Sequence, residues 1–270
     1  MTVLVVDLSS NNPHPVDYLA VRQAGVGGAI IKLTEGGGAT AYVNPYATVD
    51  LDGFRSVGLP VAGYHFLQPT TPVAEQLGLL EGNLHGVGMV WVDSELQEGP
   101  WPSVTNATRA MCDAIAAAGL RAGLYSSPSF LSHLAGAPWG YPLWLADYGV
   151  PSPPMASALW QYTDAGTIAG IGGKVDLSRF FGTDAELASL FARPAPSPVP
   201  GPPPPGPTKE EEMVWLDTDP NNGDAILVVP GRGGWYGISA ETLAYYRDNG
   251  VPEARHHITK ALFAAFQKLG

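Results

Sequence analysis

The 270-residue sequence has little cysteine, little positive charge and no long hydrophobic segment. Its one cysteine, Cys112, excludes an internal disulfide and a metal site built from several thiolates. Lys and Arg number 14 against 25 Asp and Glu, and the net charge of −11 argues against nucleic acid as a partner, because no basic excess exists to neutralise phosphates. Since no stretch of about 18 apolar residues is present, we expect no membrane insertion.

The first ten residues, MTVLVVDLSS, lack the basic region and the long apolar core of a secretory signal peptide. We therefore expect synthesis in the cytoplasm, and a target outside the membrane would require another exit route. Proline, by contrast, is abundant, and much of it lies in one stretch that predicts a semi-rigid linker at residues 194–208. This linker would separate a large unit, residues 1–193, from a small one, residues 209–270.

Short apolar segments in the large unit have the length and composition of β-strands, and the early ones alternate with helical patterns. The strands are predicted at 3–7, 28–35, 59–67, 87–95, 121–127, 141–149, 157–164 and 174–180. The helices are predicted at 16–25, 45–57, 71–83, 105–119 and 182–193. Only loops separate the last three strands, so the pattern predicts an α/β fold, an irregular TIM-like (β/α) barrel with helices missing from its second half.

Nearly every predicted strand carries a polar or aromatic side chain at its end. In a barrel of this type the carboxyl ends of the strands form the active-site face, so these side chains are expected to converge on one cleft. They are Asp7, Glu35, Tyr64, Asp93, Glu95, Tyr125, Trp144, Asp147, Gln161 and Asp176.

The pair Asp93 and Glu95 closes the most apolar of these strands. The two residues are two positions apart, so both side chains are expected on the same face of the strand. Paired acids at the mouth of a core strand are typical of glycosidases, although an isolated pair could also be a solvated strand end. The regularity of the other strand ends favours the catalytic interpretation.

Taken in order, these segments resemble glycoside hydrolase family 25, the N-acetylmuramidases or lysozymes found in bacteria and in phage endolysins. The resemblance covers about residues 1–190. It rests on VVDLSS, IIKLTEG followed by VNPY, GYHF, WVDSE, GLYSS, LWLADYG, and WQYT followed by VDLSRF.

The resemblance implies that Glu95 is the general acid/base and that Asp7, Asp93 and Asp176 complete an acidic cluster. Asp93 would be either a nucleophile or the group that orients the acetamido group of the substrate, and we favour the second role because muramic acid carries an N-acetyl group beside the reacting carbon. Neighbouring carboxylates are expected to raise the pKa of Glu95. The substrate-binding candidates are Tyr64, Tyr125, Trp144, Glu35 and Gln161, with core packing as the alternative for Trp144.

The expected activity is cleavage of the β-1,4 bond between N-acetylmuramic acid and N-acetylglucosamine in peptidoglycan, with net retention and with no metal or organic cofactor. The absence of a signal peptide favours a phage endolysin. The alternatives are a chitinase-like barrel glycosidase and a non-catalytic cell-wall-binding protein. Lys32 is expected to pair with the acids or to end its strand, and His65 to be a structural, hydrogen-bonded residue.

Residues 209–270 predict a small α+β domain. VWLDTDPNNGDAILVV indicates two strands, WYGIS a third, and two helices are expected at 239–250 and 258–269. We expect a cell-wall-binding module, because a tethered domain raises the concentration of an enzyme at its polymer. A unit of about 60 residues has a marginal core, so self-association through the last helix is a further hypothesis.

Overall fold

The computed structural model describes residues 2–194 and, further along the chain, the backbone of three short strands. The chain divides into two compact units, residues 1–197 and 198–270. Residues 195–208 of the predicted linker lie outside the described residues, so the linker stays a prediction. Within the described part, no helix has the length and apolarity needed to span a membrane.

Nine strands of the first unit form one sheet in the order β1-β9-β8-β7-β6-β5-β4-β2-β3, and β1 also pairs with β2, which closes an eight-stranded barrel. The strands are β1 Val3–Leu8, β2 Val26–Glu35, β3 Tyr42–Val43, β4 Val61–Phe66, β5 Met89–Asp93, β6 Arg121–Ser126, β7 Leu143–Ala146, β8 Leu159–Gly166 and β9 Val175–Phe180. The eight predicted strands are confirmed. The extra strand β3 was missed because two residues carry no periodic signal.

The helices are α1 Tyr18–Gln23, α2 Ala47–Ser56, α3 Val73–Glu81, α4 Trp101–Ala117, α5 Pro128–Leu131 and α6 Asp184–Phe191, with a 3₁₀ turn at Gly38–Thr40. The five predicted helices are confirmed. Helix α4 begins earlier than predicted because proline, here Pro102, is tolerated in a first helical turn. The four-residue α5 was not predicted, although Ser127 caps it by accepting a hydrogen bond from the Phe130 amide.

The second half of the barrel departs from a regular (β/α) barrel. No helix joins β7 to β8 or β8 to β9. Strand β9 runs antiparallel to both of its neighbours, β8 and β1. The other neighbouring pairs of the eight-stranded barrel are parallel, and only the extra strand β3 also pairs antiparallel, with β2. As a result, Asp176 at the start of β9 pairs with Asp7 near the end of β1. Asp176 was predicted to lie at a strand end. Its strand is reversed, so the start of β9 lies at the active-site face.

The barrel interior is filled by side chains that recur every second residue, as the pleat of a strand requires. Apolar layers occupy its lower part, and polar residues take the same inward positions above them, as in Val3, Val5 and Asp7 along β1. Trp91 and Trp144 are the largest side chains in this interior. Gly123 makes room for Trp91, since a β-carbon at this position would lie 2.4 Å from the indole ring.

A second core lies between the barrel and the helices that surround it. Cys112 on α4 is fully buried there, and burial raises the pKa of its thiol to about 12. The thiol is therefore a small apolar core group, as the helical pattern around it predicts.

In the second unit, β10 Trp215–Thr218, β11 Ala225–Val228 and β12 Trp235–Ile238 form an antiparallel sheet in chain order. This confirms the three predicted strands. The helices predicted at 239–250 and 258–269 lie outside the described residues.

Candidate active site

Four carboxyl groups meet at the end of the barrel where the parallel strands finish. Asp7 and Asp93 belong to β1 and β5, Asp176 begins β9, and Glu95 follows β5. Asp7 and Asp93 are buried, while Asp176 is half-buried and Glu95 exposed. The predicted acidic cluster is thus assembled from residues that are up to 169 positions apart, the separation of Asp7 and Asp176.

Glu95 does not lie on the strand, because β5 ends at Asp93. The loop that carries it is fixed by the intervening residue, Ser94, which is buried. The Ser94 amide donates to the Tyr125 carbonyl at 3.0 Å, its carbonyl accepts from the Ser126 hydroxyl at 2.6 Å, and its own hydroxyl lies 2.8 Å from that of Thr108. Sequence reasoning missed Ser94, whose partners come from β6 and α4.

Gln161 is hydrogen-bonded to two of the acids, Asp7 and Asp176. Its amide nitrogen donates to Asp7 at 3.1 Å and to Asp176 at 3.4 Å. Its carbonyl oxygen accepts from the hydroxyls of Tyr125, at 2.8 Å, and Tyr148, at 2.6 Å. Gln161 is buried and its polar atoms are all engaged with protein, so it orients the acids. Tyr148, which was not among the predicted site residues, completes this network.

Asp7 and Asp176 both have raised pKa values. Burial and the charge of Asp176 raise the pKa of Asp7 well above its usual range. Burial and the charge of Asp164 raise the pKa of Asp176, but its hydrogen bond with Asp7 acts in the opposite direction. Burial is thus the largest cause for both acids, and each is expected to hold a proton more readily than an ordinary aspartate.

Asp93 is a buried acid with an incomplete set of partners. Within the described residues no donor reaches its Oδ1 atom, which is screened from solvent. Burial, followed by the charge of Glu95, raises its pKa well above the usual range, and Lys32 opposes this shift. A buried carboxyl oxygen without a donor is costly for folding, so its presence here indicates a ligand-binding role.

Glu95 also has a raised pKa. Although part of the residue is exposed, the surrounding protein displaces solvent from its carboxyl group, and this loss of solvent is the largest cause. Lys32 acts against the shift, and the charge of Asp176 adds to it. The predicted direction is therefore correct, whereas the main cause is desolvation and not the neighbouring carboxylates. A glutamic acid that keeps its proton toward neutral pH can act as a general acid.

Lys32 is the cation that acts on both Asp93 and Glu95. Its Nζ atom lies 2.6 Å from Glu35, and the rings of Tyr42 and Phe66 flank it with centroids at 5.5 and 5.1 Å. The second oxygen of Glu35 accepts from Gln68 at 3.3 Å. Lys32 thus pairs with an acid, as expected, and the partner is Glu35.

The three predicted aromatic residues meet at Trp144, whose ring is edge-on to that of Tyr64 and tilted against that of Tyr125. Trp144 is only 2% exposed, its ring packs against Tyr125 and Trp91, and its indole nitrogen donates to Ser178 at 2.9 Å. This placement favours the alternative of core packing for Trp144. Tyr64 is half-buried, and burial together with the charges of the four clustered acids raises the pKa of its hydroxyl. The charges of Asp93, Glu95 and Asp7 act on Tyr125 in the same way, and the Tyr125 hydroxyl is in addition hydrogen-bonded to Gln161.

His65 lies on the opposite side of strand β4 from Tyr64, outside the barrel. Its Nδ1 accepts from the Thr34 hydroxyl at 2.8 Å, and its Nε2 donates to Gln76 at 3.0 Å. Burial lowers the pKa of His65 to about 4, so the ring is neutral near neutral pH. Both ring nitrogens are occupied by protein groups, in line with the structural role expected for this residue.

The residues that converge here are acids, one lysine and aromatic rings, with no cluster of the kind that binds a metal among the described residues. Glu95, with its raised pKa, can transfer a proton, and the unpartnered Oδ1 atom of Asp93 can accept a hydrogen bond from a ligand. A pair of carboxyl groups with these two properties is typical of glycosidase active sites.

Comparisons with known proteins agree with this reading. The model of the family described as glycosyl hydrolases family 25 matches residues 6–171. The autolytic lysozyme of Clostridium acetobutylicum is 29% identical over 172 residues, which are 61% of this chain and 52% of that protein. The chain therefore spans about half the length of that relative.

Solved structures share the fold. The bacterial lysozyme from Streptomyces coelicolor superposes with a TM-score of 0.63 at 22% identity, over 70% of this chain and 96% of that chain. The CTP1L endolysin gives a TM-score of 0.55 at 26% identity, over 70% of this chain and 69% of that one. With the family model covering more than half of the sequence, the chain belongs to glycosyl hydrolases family 25.

Proposed function

We propose that this protein is a peptidoglycan hydrolase, an N-acetylmuramidase that cleaves the β-1,4 bond between N-acetylmuramic acid and N-acetylglucosamine. The observation that carries the proposal is the pair of acids on either side of Ser94. One of them, Glu95, is exposed with a raised pKa, and the other, Asp93, is buried with an unpartnered oxygen. The membership of family 25 and the likeness to an autolytic lysozyme support this substrate.

Glu95 would act as the general acid. Its raised pKa keeps a proton available for the glycosidic oxygen as the bond to the anomeric carbon breaks. After the first step the Glu95 carboxylate would take a proton from the water that attacks the anomeric carbon. This exchange of roles regenerates the acid for the next cycle.

Asp93 would orient the acetamido group of the substrate. The Oδ1 atom has no donor among the described residues and could accept the acetamido N–H, so that the acetamido oxygen attacks the anomeric carbon. Attack from within the substrate followed by attack of water gives net retention. A nucleophilic Asp93 would give the same stereochemistry, but the buried oxygen without a donor favours the role of acceptor.

The remaining residues would shape and charge the cleft. Asp7, Asp176 and Gln161 form one hydrogen-bonded group beneath the acids, and Tyr64 faces that group. Glu35 would fix Lys32 beside the reacting pair. Tyr64 and Glu35 remain candidates for direct contact with sugar, whereas the burial of Tyr125, Trp144 and Gln161 suits a supporting role.

The biological setting we infer is lysis of a bacterial cell wall by a phage endolysin. The likeness to the CTP1L endolysin supports it. The second unit would then hold the enzyme on the wall. Removing it should weaken binding to isolated walls while leaving the hydrolysis of short soluble fragments unchanged.

The proposal is tested with purified protein and isolated peptidoglycan. New reducing ends are reduced with borohydride and identified by mass spectrometry. The unaltered protein should release fragments ending in muramic acid, and Glu95→Gln should lower the rate by about 10²–10⁴-fold, the usual contribution of a general acid. Fragments ending in glucosamine would contradict the bond assignment.

Glu98→Gln is the matched control. Glu98 lies in the same loop as Glu95, but its carboxylate accepts from Thr70 at 2.8 Å and is not part of the acidic cluster. Its replacement should leave the rate within about twofold. If the unaltered protein binds walls and releases no sugar, the non-catalytic alternative replaces this proposal. Activity on chitin oligosaccharides alone would indicate the chitinase-like alternative.

A further inference from the structure

Tyr148 is the most exposed of the aromatic residues around the acidic cluster. It is 42% exposed, whereas Tyr125 and Trp144 are 8% and 2% exposed and Tyr64 is half-buried. A sugar can pack against an aromatic ring only where solvent can reach that ring. The largest open aromatic surface beside the acids therefore belongs to Tyr148, in the loop between β7 and β8.

The backbone on both sides of Tyr148 is held in one conformation. The amide of the preceding residue, Asp147, donates to the Gln161 carbonyl at 3.1 Å, and the Asp147 carbonyl accepts from the indole nitrogen of Trp160 at 2.8 Å. The following residue, Gly149, turns the chain with a φ of 73°, which favours glycine. Tyr148 therefore has a fixed position at the carboxyl end of β7, on the active-site face.

The hydroxyl of Tyr148 connects this exposed ring to the acids through Gln161. It donates to the Gln161 Oε1 atom at 2.6 Å, and the Tyr125 hydroxyl donates to the same atom at 2.8 Å. Burial raises the pKa of the Tyr148 hydroxyl, and nearby acids act in the same direction, so the hydroxyl keeps the proton that it donates. Because both hydroxyls bind the amide oxygen, the amide nitrogen is directed toward Asp7 and Asp176.

We propose that Tyr148 contacts the substrate and couples sugar binding to the position of the acids. Its ring packs against one sugar of the glycan strand. This contact restrains the ring, and the restrained hydroxyl in turn holds the Gln161 amide against Asp7 and Asp176. The inference rests on the proposed function, because it takes a glycan as the ligand of the cleft. It gives Tyr148 the stacking role that the sequence suggested for Trp144.

Two variants separate the ring of Tyr148 from its hydroxyl. Tyr148→Phe keeps the ring and removes the hydrogen bond to Gln161, whereas Tyr148→Leu removes both. Phe181→Leu is the matched control, because Phe181 is 44% exposed but follows β9 at the end of the barrel opposite to Asp176. For binding measurements every protein also carries Glu95→Gln, so that the glycan is not consumed.

The test is an NMR titration with a soluble peptidoglycan tetrasaccharide. The dissociation constant should rise about tenfold in Tyr148→Leu, the effect of losing one aromatic contact, and should stay within about threefold in Tyr148→Phe and Phe181→Leu. Hydrogen exchange of the Gln161 side-chain amide is the second readout. The sugar should slow this exchange on the order of tenfold when Tyr148 is intact, and Tyr148→Phe should abolish the slowing.

Equal affinities of Tyr148→Leu and Phe181→Leu would overturn the sugar contact, and so would a tetrasaccharide that binds to none of the proteins. Exchange of the Gln161 amide that does not respond to bound sugar would overturn the coupling. Failure of the proposed function is recognised separately, when protein with Glu95 in place releases no new reducing ends from peptidoglycan. Binding at Tyr148 is measured without hydrolysis and does not depend on that result.

Discussion

Two polar clusters lie on opposite sides of strand β4. We call a cluster matched when every polar side-chain atom in it has a hydrogen-bond partner, and the two clusters differ in this respect. Outside the barrel, Thr34, His65 and Gln76 are fully buried. The Gln76 side chain accepts from His65 and from the Gln68 amide, and it donates to the carbonyls of Gln68 and Thr71. Every side-chain polar atom of Gln76 has a partner, so this cluster stabilises the fold.

Inside the barrel, the acidic cluster is not matched in this way. Burial raises the pKa values of Asp7, Asp93, Glu95 and Asp176, and one oxygen of Asp93 has no donor among the described residues. Such groups cost stability, and the cost is offset by the surrounding core. The comparison indicates that the matched cluster holds the strands in place while the unmatched one is left available for substrate.

The largest effect should come from Asp93→Asn. We expect a loss of activity of about 10²–10⁴-fold, because the amide cannot act as a charged acceptor for the reacting substrate. The same change should stabilise the fold at neutral pH, since the amide removes a buried carboxyl group whose charged form is disfavoured in the folded protein.

The sign follows from linkage. The folded pKa of Asp93 is raised, so its contribution to stability is full below the unfolded pKa and is lost as pH rises through the folded pKa. Thermal unfolding of both proteins should therefore show a gain for the variant at neutral pH that shrinks in acid. If the variant were less stable than the unaltered protein at neutral pH, the claim that the buried Asp93 carboxyl lowers stability would be wrong.

Breaking the matched cluster should have the opposite result. Gln76→Leu leaves His65, the Gln68 amide and two carbonyls without their partners, and we expect it to lower the free energy of unfolding by about 3 kcal/mol. Denaturant unfolding measures this change. Gln23→Leu, at an exposed site on α1, is the control and should stay within about 0.5 kcal/mol. Equal effects of the two variants would show that the cluster is not a source of stability.

A smaller change is expected from Lys32→Met, which removes the cation that opposes the upward pKa shifts of Asp93 and Glu95. Both pKa values should rise further. Because the limbs of the pH profile of kcat/KM report the pKa values of the acids that take part in the reaction, both limbs should move to higher pH. Limbs that stay in place, or move to lower pH, would argue against an electrostatic role for Lys32.

Much of the barrel could be predicted from the sequence because its strands are short apolar runs and each ends in a polar residue. The same pattern brought Asp7, Asp93 and Glu95 together as site candidates. The reversed direction of β9 could not be predicted, since the apolar pattern of a strand has no direction. Because the direction of β9 could not be predicted, the pairing of Asp176 with Asp7 across β9 and β1 could not be predicted either.

The sequence also did not predict the residues that act at the site through hydrogen bonds to partners distant in the chain. Ser94 and Tyr148 are ordinary polar residues in the sequence, and their roles depend on partners on β6, β8 and α4. Trp144 shows the reverse case. A tryptophan at a strand end suits sugar stacking equally well, and only the packing of Trp91 and Tyr125 around it places it in the core.

The central expectation is that loss of solvent around its carboxyl group keeps a proton on Glu95 for catalysis. It is tested most directly by following the side-chain carboxyl ¹³C shifts with pH and assigning Glu95 from the spectrum of Glu95→Gln. We expect Glu95 to titrate above about 4.3, the pKa of an unperturbed glutamate. The midpoint of this titration should coincide with the midpoint of the alkaline limb of the pH profile of activity. A Glu95 carboxyl that titrates at or below that value would contradict it.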